Sequence, residues 1–158
     1  MEELTYIEDV YRTPSRPRSL AARALPSFTF YCHAFMIVWR ASSLAKRGLY
    51  KTPEWRGSSL ATLRALEQAG VTLEITGTDS FRALDGPCVF VANHMSTLET
   101  FVLPAIIAQF KDATFVVKQS LVDYPVFKHV MRSRDPITVG RSNPRDDLKA
   151  VLEGGPRG

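Results

Sequence analysis

The stretch 89-VFVANHMSTLET-100 decides how the rest of the chain is read. An apolar run closes on Asn93 and His94, and a carboxylate, Glu99, follows five residues after the histidine. With Cys88 in front, CVFVAN is apolar almost throughout, the pattern of a buried strand covered on both faces. Residues 96–110 then read as a helix, kinked at Pro104, with Ser96 or Thr97 placed to cap it. A strand that delivers a histidine to the start of a helix belongs to an α/β fold. Active crevices of open α/β sheets lie at the carboxyl ends of the strands.

The same alternation extends in both directions. Upstream, VTLEITG at 71–77 alternates apolar and polar residues and predicts a strand. Before it, TPEWRGSSLATLRALEQAG carries a helix start and stop: Thr52 as cap, Pro53 in the first helical position, Gly70 after the last turn. Leu60, Leu63 and Leu66 share nearly one face of that helix and should pack onto the domain. Downstream, TFVVK predicts a strand, SLVDYPVFKHVMRS a broken helix and PITVGR another strand. NPRDDLKAVLEGG predicts a helix with Asn143 as cap, Pro144 in its first turn, and a glycine stop at Gly154 and Gly155. Strands and helices alternating at this spacing imply an α/β fold with a mainly parallel sheet flanked by helices.

The amino-terminal third is different. Residues 1–27 alternate charge, Pro and Ser and read as a mobile arm. FTFYCHAFMIVW at 28–39 is too short to span a bilayer, which takes about 20 apolar residues. From 40 to 51 the charges are Arg40, Lys46, Arg47 and Lys51, with no acid among them. An apolar segment with a basic collar suits a helix lying in a membrane interface, but such aromatics fill a core equally well. Residues 28–51 are therefore an interfacial or a packing helix. The expected organisation is a mobile arm over 1–27, an apolar and basic helical segment over 28–51, and an α/β domain over 52–158.

Composition removes several classes. A chain of 158 residues with 45% hydrophobic and 23% charged residues is globular rather than disordered. A net charge of +4 favours anionic partners only weakly. No helix-turn-helix or RNP-like pattern accompanies it, which argues against nucleic acid. Cys32 and Cys88 show neither CxxC nor metal-type spacing, and His33 and His129 have no partner at ligand spacing, so neither a disulfide framework nor a metal site is expected. No secretory signal is visible, and no GxSxG elbow points to a nucleophilic serine.

His94 and Glu99 carry the chemistry. From the first turn of the helix, Glu99 can fold back to accept the Nδ1 proton of His94. Nε2 is then left to take a proton from a substrate hydroxyl. This is the histidine–carboxylate half of a hydrolase triad, with the substrate's own alcohol as nucleophile. The other reading has Asn93 and His94 capping the helix and Glu99 complementing its dipole. Spacing alone leaves both open.

NHMSTLE, at 93–99, resembles the NHxxxxD block of the glycerolipid acyltransferases, the group containing 1-acylglycerol-3-phosphate acyltransferase. FVVKQSLVDYPVF resembles the K-x-E-L-x-x-x-P-x-x-G stretch that follows in that family. PITVGRSNPRDDL resembles its second block, whose arginine helps hold the acceptor's phosphate. Together they cover roughly residues 72 to 155. The resemblance implies an O-acyltransferase of phospholipid biosynthesis, moving a fatty acyl group from acyl-CoA or acyl carrier protein to the free hydroxyl of a lysophospholipid. It implies His94 as general base, Glu99 as its orienter, and Arg141 with Lys118 as cations for the acceptor's phosphate. It implies no cofactor beyond the acyl donor, no nucleic-acid partner, and peripheral attachment at the cytoplasmic face of a membrane.

Two departures qualify it. Glu99 stands where the family usually has aspartate, giving an HX4E variant whose extra methylene a small shift accommodates. A third, FPEGTR-like block is expected some residues after VLEGG and does not occur before Gly158. The domain is thus expected to be incomplete at its carboxyl end. The alternative function is a catalytically silent relative that binds lipid or a protein partner.

Overall fold

Glu54 accepts a hydrogen bond from the amide of Lys51 at 3.0 Å, and this contact opens the helix around which the chain is arranged. In a computed structural model that describes residues 3–15, 17–125 and 127–154, the elements run in the following order. They are β1 (Val10–Arg12), α1 (Leu20–Ala24), α2 (Pro26–Lys46), α3 (Thr52–Ala69), β2 (Glu74–Thr76) and α4 (Asp79–Arg82). After these come α5 (Leu98–Ile107), β3 (Val116–Lys118), α6 (Gln119–Val122), α7 (Lys128–Arg132), β4 (Ile137–Val139) and α8 (Pro144–Gly154).

Helix α3 ends at Gly70, whose φ of 103° is left-handed and favours glycine. Its start lies one residue before the expected position. Lys51 is the N-cap residue, and the Thr52 hydroxyl instead donates to Asp112 at 3.2 Å. The expected leucine face is buried: Leu60, Leu63 and Leu66 are all inside. Helix α3 packs against α2 on one side and α5 on the other. Two apolar clusters form around it. Leu4, Tyr11, Leu60, Leu63 and Ala105 make one, and Ala41, Tyr50 and Trp55 the other.

The α3–α5 contact centres on Ser59. Its hydroxyl donates to the carbonyl of Phe101 and accepts from the amide of Ala105 at 2.8 Å. Those two groups are an i, i+4 pair flanking Pro104, where a helix interior loses a donor and bends. Ser59 therefore satisfies polar groups at the place where proline disturbs α5.

The sheet differs from expectation. β1 pairs antiparallel with β2, β3 pairs parallel with β4, and these remain separate two-stranded sheets. The architecture is mixed helix and strand, with parallel pairing confined to β3 and β4 rather than a mainly parallel sheet. CVFVAN forms no strand: residues 87–95 have no regular structure, and Val89 and Val91 are 90% and 92% exposed. Apolar composition favours burial but supplies no edge to pair with. No described strand pairs with this run; Cys88 is half-buried, and Phe90 packs edge-to-face on Phe81 at 5.2 Å.

The segment expected as a mobile arm also departs from its expectation, because its described residues enter the core. Leu4 and Tyr11 are buried, and Val10 to Arg12 pair with Glu74 to Thr76. The physical reason is that its polar groups are partnered. Tyr11 donates to Glu67 and accepts from Arg64 at 2.6 Å, and Asp9 accepts from Thr78 and from the amide of Asp79. Arg16 and the glycine stop at Gly155 lie outside the described residues; Gly154 is the last described helical residue.

Candidate active site

The turn before α5 is organised by Glu99. Its carboxylate accepts from the amide of Met95 at 3.2 Å, from the amide of Ser96 at 3.0 Å and from the Ser96 hydroxyl at 3.0 Å. These amides sit before and at the helix start, where donors lack intrahelical partners. Glu99's own backbone N–H, the Ser96 hydroxyl and the amides of Ser96 and Met95 hold its carboxyl below the usual carboxylate range, against the opposing effect of burial. Glu99 is therefore an anion at neutral pH.

His94 stands beside that anion, with Nδ1 at 3.5 Å from Oε2 of Glu99. The side chain of His94 is 70% exposed, so its ring is within reach of a ligand. Glu99 both holds the turn and faces the imidazole, whereas the N-cap residue of α5 is Thr97 and not Asn93 or His94. A negative charge at Nδ1 favours the tautomer that carries its proton there, leaving Nε2 as acceptor.

His94 also lines an apolar cavity of about 400 Å³. Ile37 and Ala41 of α2, Trp55 of α3, Phe101 of α5 and Phe127 supply much of its wall. Its size and lining suit a small apolar ligand or an alkyl chain. Arg134 is a charged member of the lining: its guanidinium lies 4.6 Å from the Trp55 ring centroid and 3.7 Å from Asp112. The walls come from segments about 90 residues apart in sequence. Their apolar character was visible in the sequence, but not their convergence.

Arg141 and Lys118 lie elsewhere. Arg141 follows β4 with a left-handed φ of 61°. Asp147 fixes that turn by accepting from the amides of Gly140 and Arg141 at 2.8 and 3.0 Å. Lys118 closes β3 and is the N-cap residue of α6. Both are exposed, and neither lines the His94 cavity. No group of His, Cys, Asp and Glu among the described residues could hold a metal ion.

Residues 72–154 match the protein family described as Acyltransferase, a span containing His94, Glu99, Lys118 and Arg141. A 1-acyl-sn-glycerol-3-phosphate acyltransferase from Pseudomonas aeruginosa is 32% identical over 87 residues, covering 55% of this chain and 32% of that protein. The chain thus spans about a third of the length of the curated relative it matches. No solved structure matches.

Proposed function

Because the chain belongs to the acyltransferase family, among the glycerolipid acyltransferases, we propose that it transfers a fatty acyl group from acyl-CoA or acyl carrier protein to the free hydroxyl of a lysophospholipid. The acceptor is of the 1-acylglycerol-3-phosphate class and the pathway is phospholipid biosynthesis. The observation that carries this reading is His94, backed by the Glu99 anion, in the lining of an apolar cavity that suits an alkyl chain. Nε2 takes the acceptor's hydroxyl proton as the oxygen attacks the thioester carbonyl. A C–O bond forms, the C–S bond breaks, and the imidazolium returns its proton to the departing thiolate. Glu99 stabilises the imidazolium between those steps. Arg141 and Lys118 serve the acceptor's phosphate from outside the cavity, and a guanidinium suits that dianion.

Attachment to the cytoplasmic face of a membrane is peripheral in this reading and runs through α2. Phe28, Tyr31, Phe35, Met36 and Trp39 are exposed on it, with Arg40, Lys46, Arg47 and Lys51 following. No helix among the described residues is long and apolar enough to cross a membrane. Amphipathic aromatic side chains with adjacent cations fit the headgroup boundary.

The test is acyl transfer from labelled acyl-CoA to 1-acylglycerol-3-phosphate, comparing the chain with its His94→Ala variant. Transfer that disappears with the histidine supports the mechanism, and full transfer without it ends it. A second reading, a silent relative that binds lipid or a protein partner, is favoured by Arg141 and Lys118 standing outside the cavity. It predicts vesicle binding indifferent to His94→Ala, and no transfer even in a longer form.

A further inference from the structure

Helix α7 packs against the carboxyl end of α2, where Val130 meets Leu44 and Ala45. Val130 and Met131 also line the His94 cavity, so α7 is one of its walls, whereas Lys128, His129 and Arg132 lie outside that lining. Burial, and then the charges of Lys128, Lys46 and Arg132, hold the His129 imidazole below its ordinary value. Three cations from two helices thus converge on one ring.

These cations differ in their commitments. Arg132 donates to Asp123 at 2.7 Å. Lys46 and Lys128 are in no ion pair among the described residues. Two ammonium groups therefore stand together beside an imidazole that is largely uncharged at neutral pH. Such a patch attracts anions.

The position of Lys46 says which anions. Phe28, Tyr31, Phe35, Trp39 and Lys46 follow one another at i, i+3, i+7, i+11 and i+18, one face of α2. The four aromatics are exposed, and so is Lys46. The aromatic face of α2 therefore leads to the cations of α7. Exposed aromatics that lead into cations match a bilayer, with its apolar boundary and its anionic headgroups.

We propose that α7 shares the membrane-binding face of α2, with Lys46 and Lys128 meeting the phosphates of anionic phospholipids while the α2 aromatics enter the headgroup boundary. The proposal rests on the attachment of α2 proposed above. It adds a second element to that contact and brings a helix that walls the His94 cavity to the bilayer.

The test is sedimentation of the whole chain with vesicles of equal parts phosphatidylglycerol and phosphatidylcholine. Lys46→Gln and Lys128→Gln should each weaken binding about fivefold. Arg145→Gln, exposed on α8, should leave it unchanged. Vesicles of phosphatidylcholine alone should bind more weakly, and equally in the wild type and Lys128→Gln. Binding unmoved by Lys128→Gln overturns the proposal, and loss of acyl carrier protein binding in that variant instead would assign the cations to an acidic protein. Equal weakening by Arg145→Gln also overturns it, marking attraction by net charge. Phe35→Ser with Trp39→Ser reads the α2 attachment separately. Binding that survives this pair refutes that attachment; binding lost with it but indifferent to Lys128→Gln overturns the share of α7 alone.

Discussion

The Nδ1 atom of His94 lies 3.5 Å from Oε2 of Glu99, and that same carboxylate holds the amides of Met95 and Ser96. One side chain thus shapes the entrance to α5 and sets the charge facing the imidazole. Removing the Glu99 charge while keeping its shape should separate the two roles. In Glu99→Gln, acyl transfer should fall at least about 100-fold in kcat with KM nearly unchanged. Residues acting as a unit are not additive, so His94→Ala with Glu99→Gln should be no slower than His94→Ala alone. A further drop in the double variant would show that Glu99 acts independently of His94.

The same carboxylate predicts an acid response. Glu99 has a folded pKa below its ordinary value of 4.5, chiefly through its own backbone N–H and then the Ser96 and Met95 donors. Its contribution to stability is present above pH 4.5 and is lost as pH falls through the folded value. Asp9, lowered first by the Thr78 hydroxyl, adds to the loss in the same direction. Urea midpoints measured down the acid range should decline less steeply in Glu99→Gln than in the wild type. Parallel curves would refute the assignment.

Tyr11 predicts the opposite limb. Burial, and then the hydrogen bond to Glu67, push its hydroxyl up to about 12 from 10. A folded pKa above the unfolded one means stability that is complete below pH 10 and lost as pH rises towards 12. Tyr11→Phe should remove that alkaline loss. It should also cost about 1–3 kcal/mol at neutral pH, because Glu67 and Arg64 keep their burial and lose a partner. Chemical denaturation at pH 7 and pH 11 reads both effects.

The cavity can be tested by filling it. Ala41 is buried and lines the cavity beside Trp55. Ala41→Phe should lower transfer of long acyl chains far more than short ones. Overpacking should cost about 1–3 kcal/mol of stability. A loss equal for all chain lengths would place the acyl chain elsewhere.

Local chemistry was legible in the sequence, and pairing between distant segments was not. Gly70 as a helix stop, the Leu60–Leu63–Leu66 face and the cap at Asn143, whose Oδ1 accepts from the Arg145 amide at 3.1 Å, depend on residues a few positions apart. The proximity of Glu99 to His94 is of the same kind. Val89 and Val91 failed the reading because an apolar run specifies burial but not a neighbouring edge. Residues 4–12 failed it because charge suggested solvation, whereas Asp9 and Tyr11 find partners more than 50 residues away. The His94 cavity draws on α2, α3 and α5 together, and no local pattern announces that convergence.

Ser59 offers the test that links packing to the site. Its hydroxyl bridges the Phe101 carbonyl and the Ala105 amide around Pro104, and it is buried. Ser59→Ala leaves those groups without that partner and should cost about 1–3 kcal/mol. Phe101 lines the cavity and Glu99 begins the same helix, so the change should also weaken binding of the acyl donor. Pro104→Ala restores a backbone donor, so the helix needs Ser59 less. The double variant Ser59→Ala, Pro104→Ala should therefore lose less than the sum of the two single changes. Strictly additive losses in denaturant titrations would mean that Ser59 and Pro104 act separately.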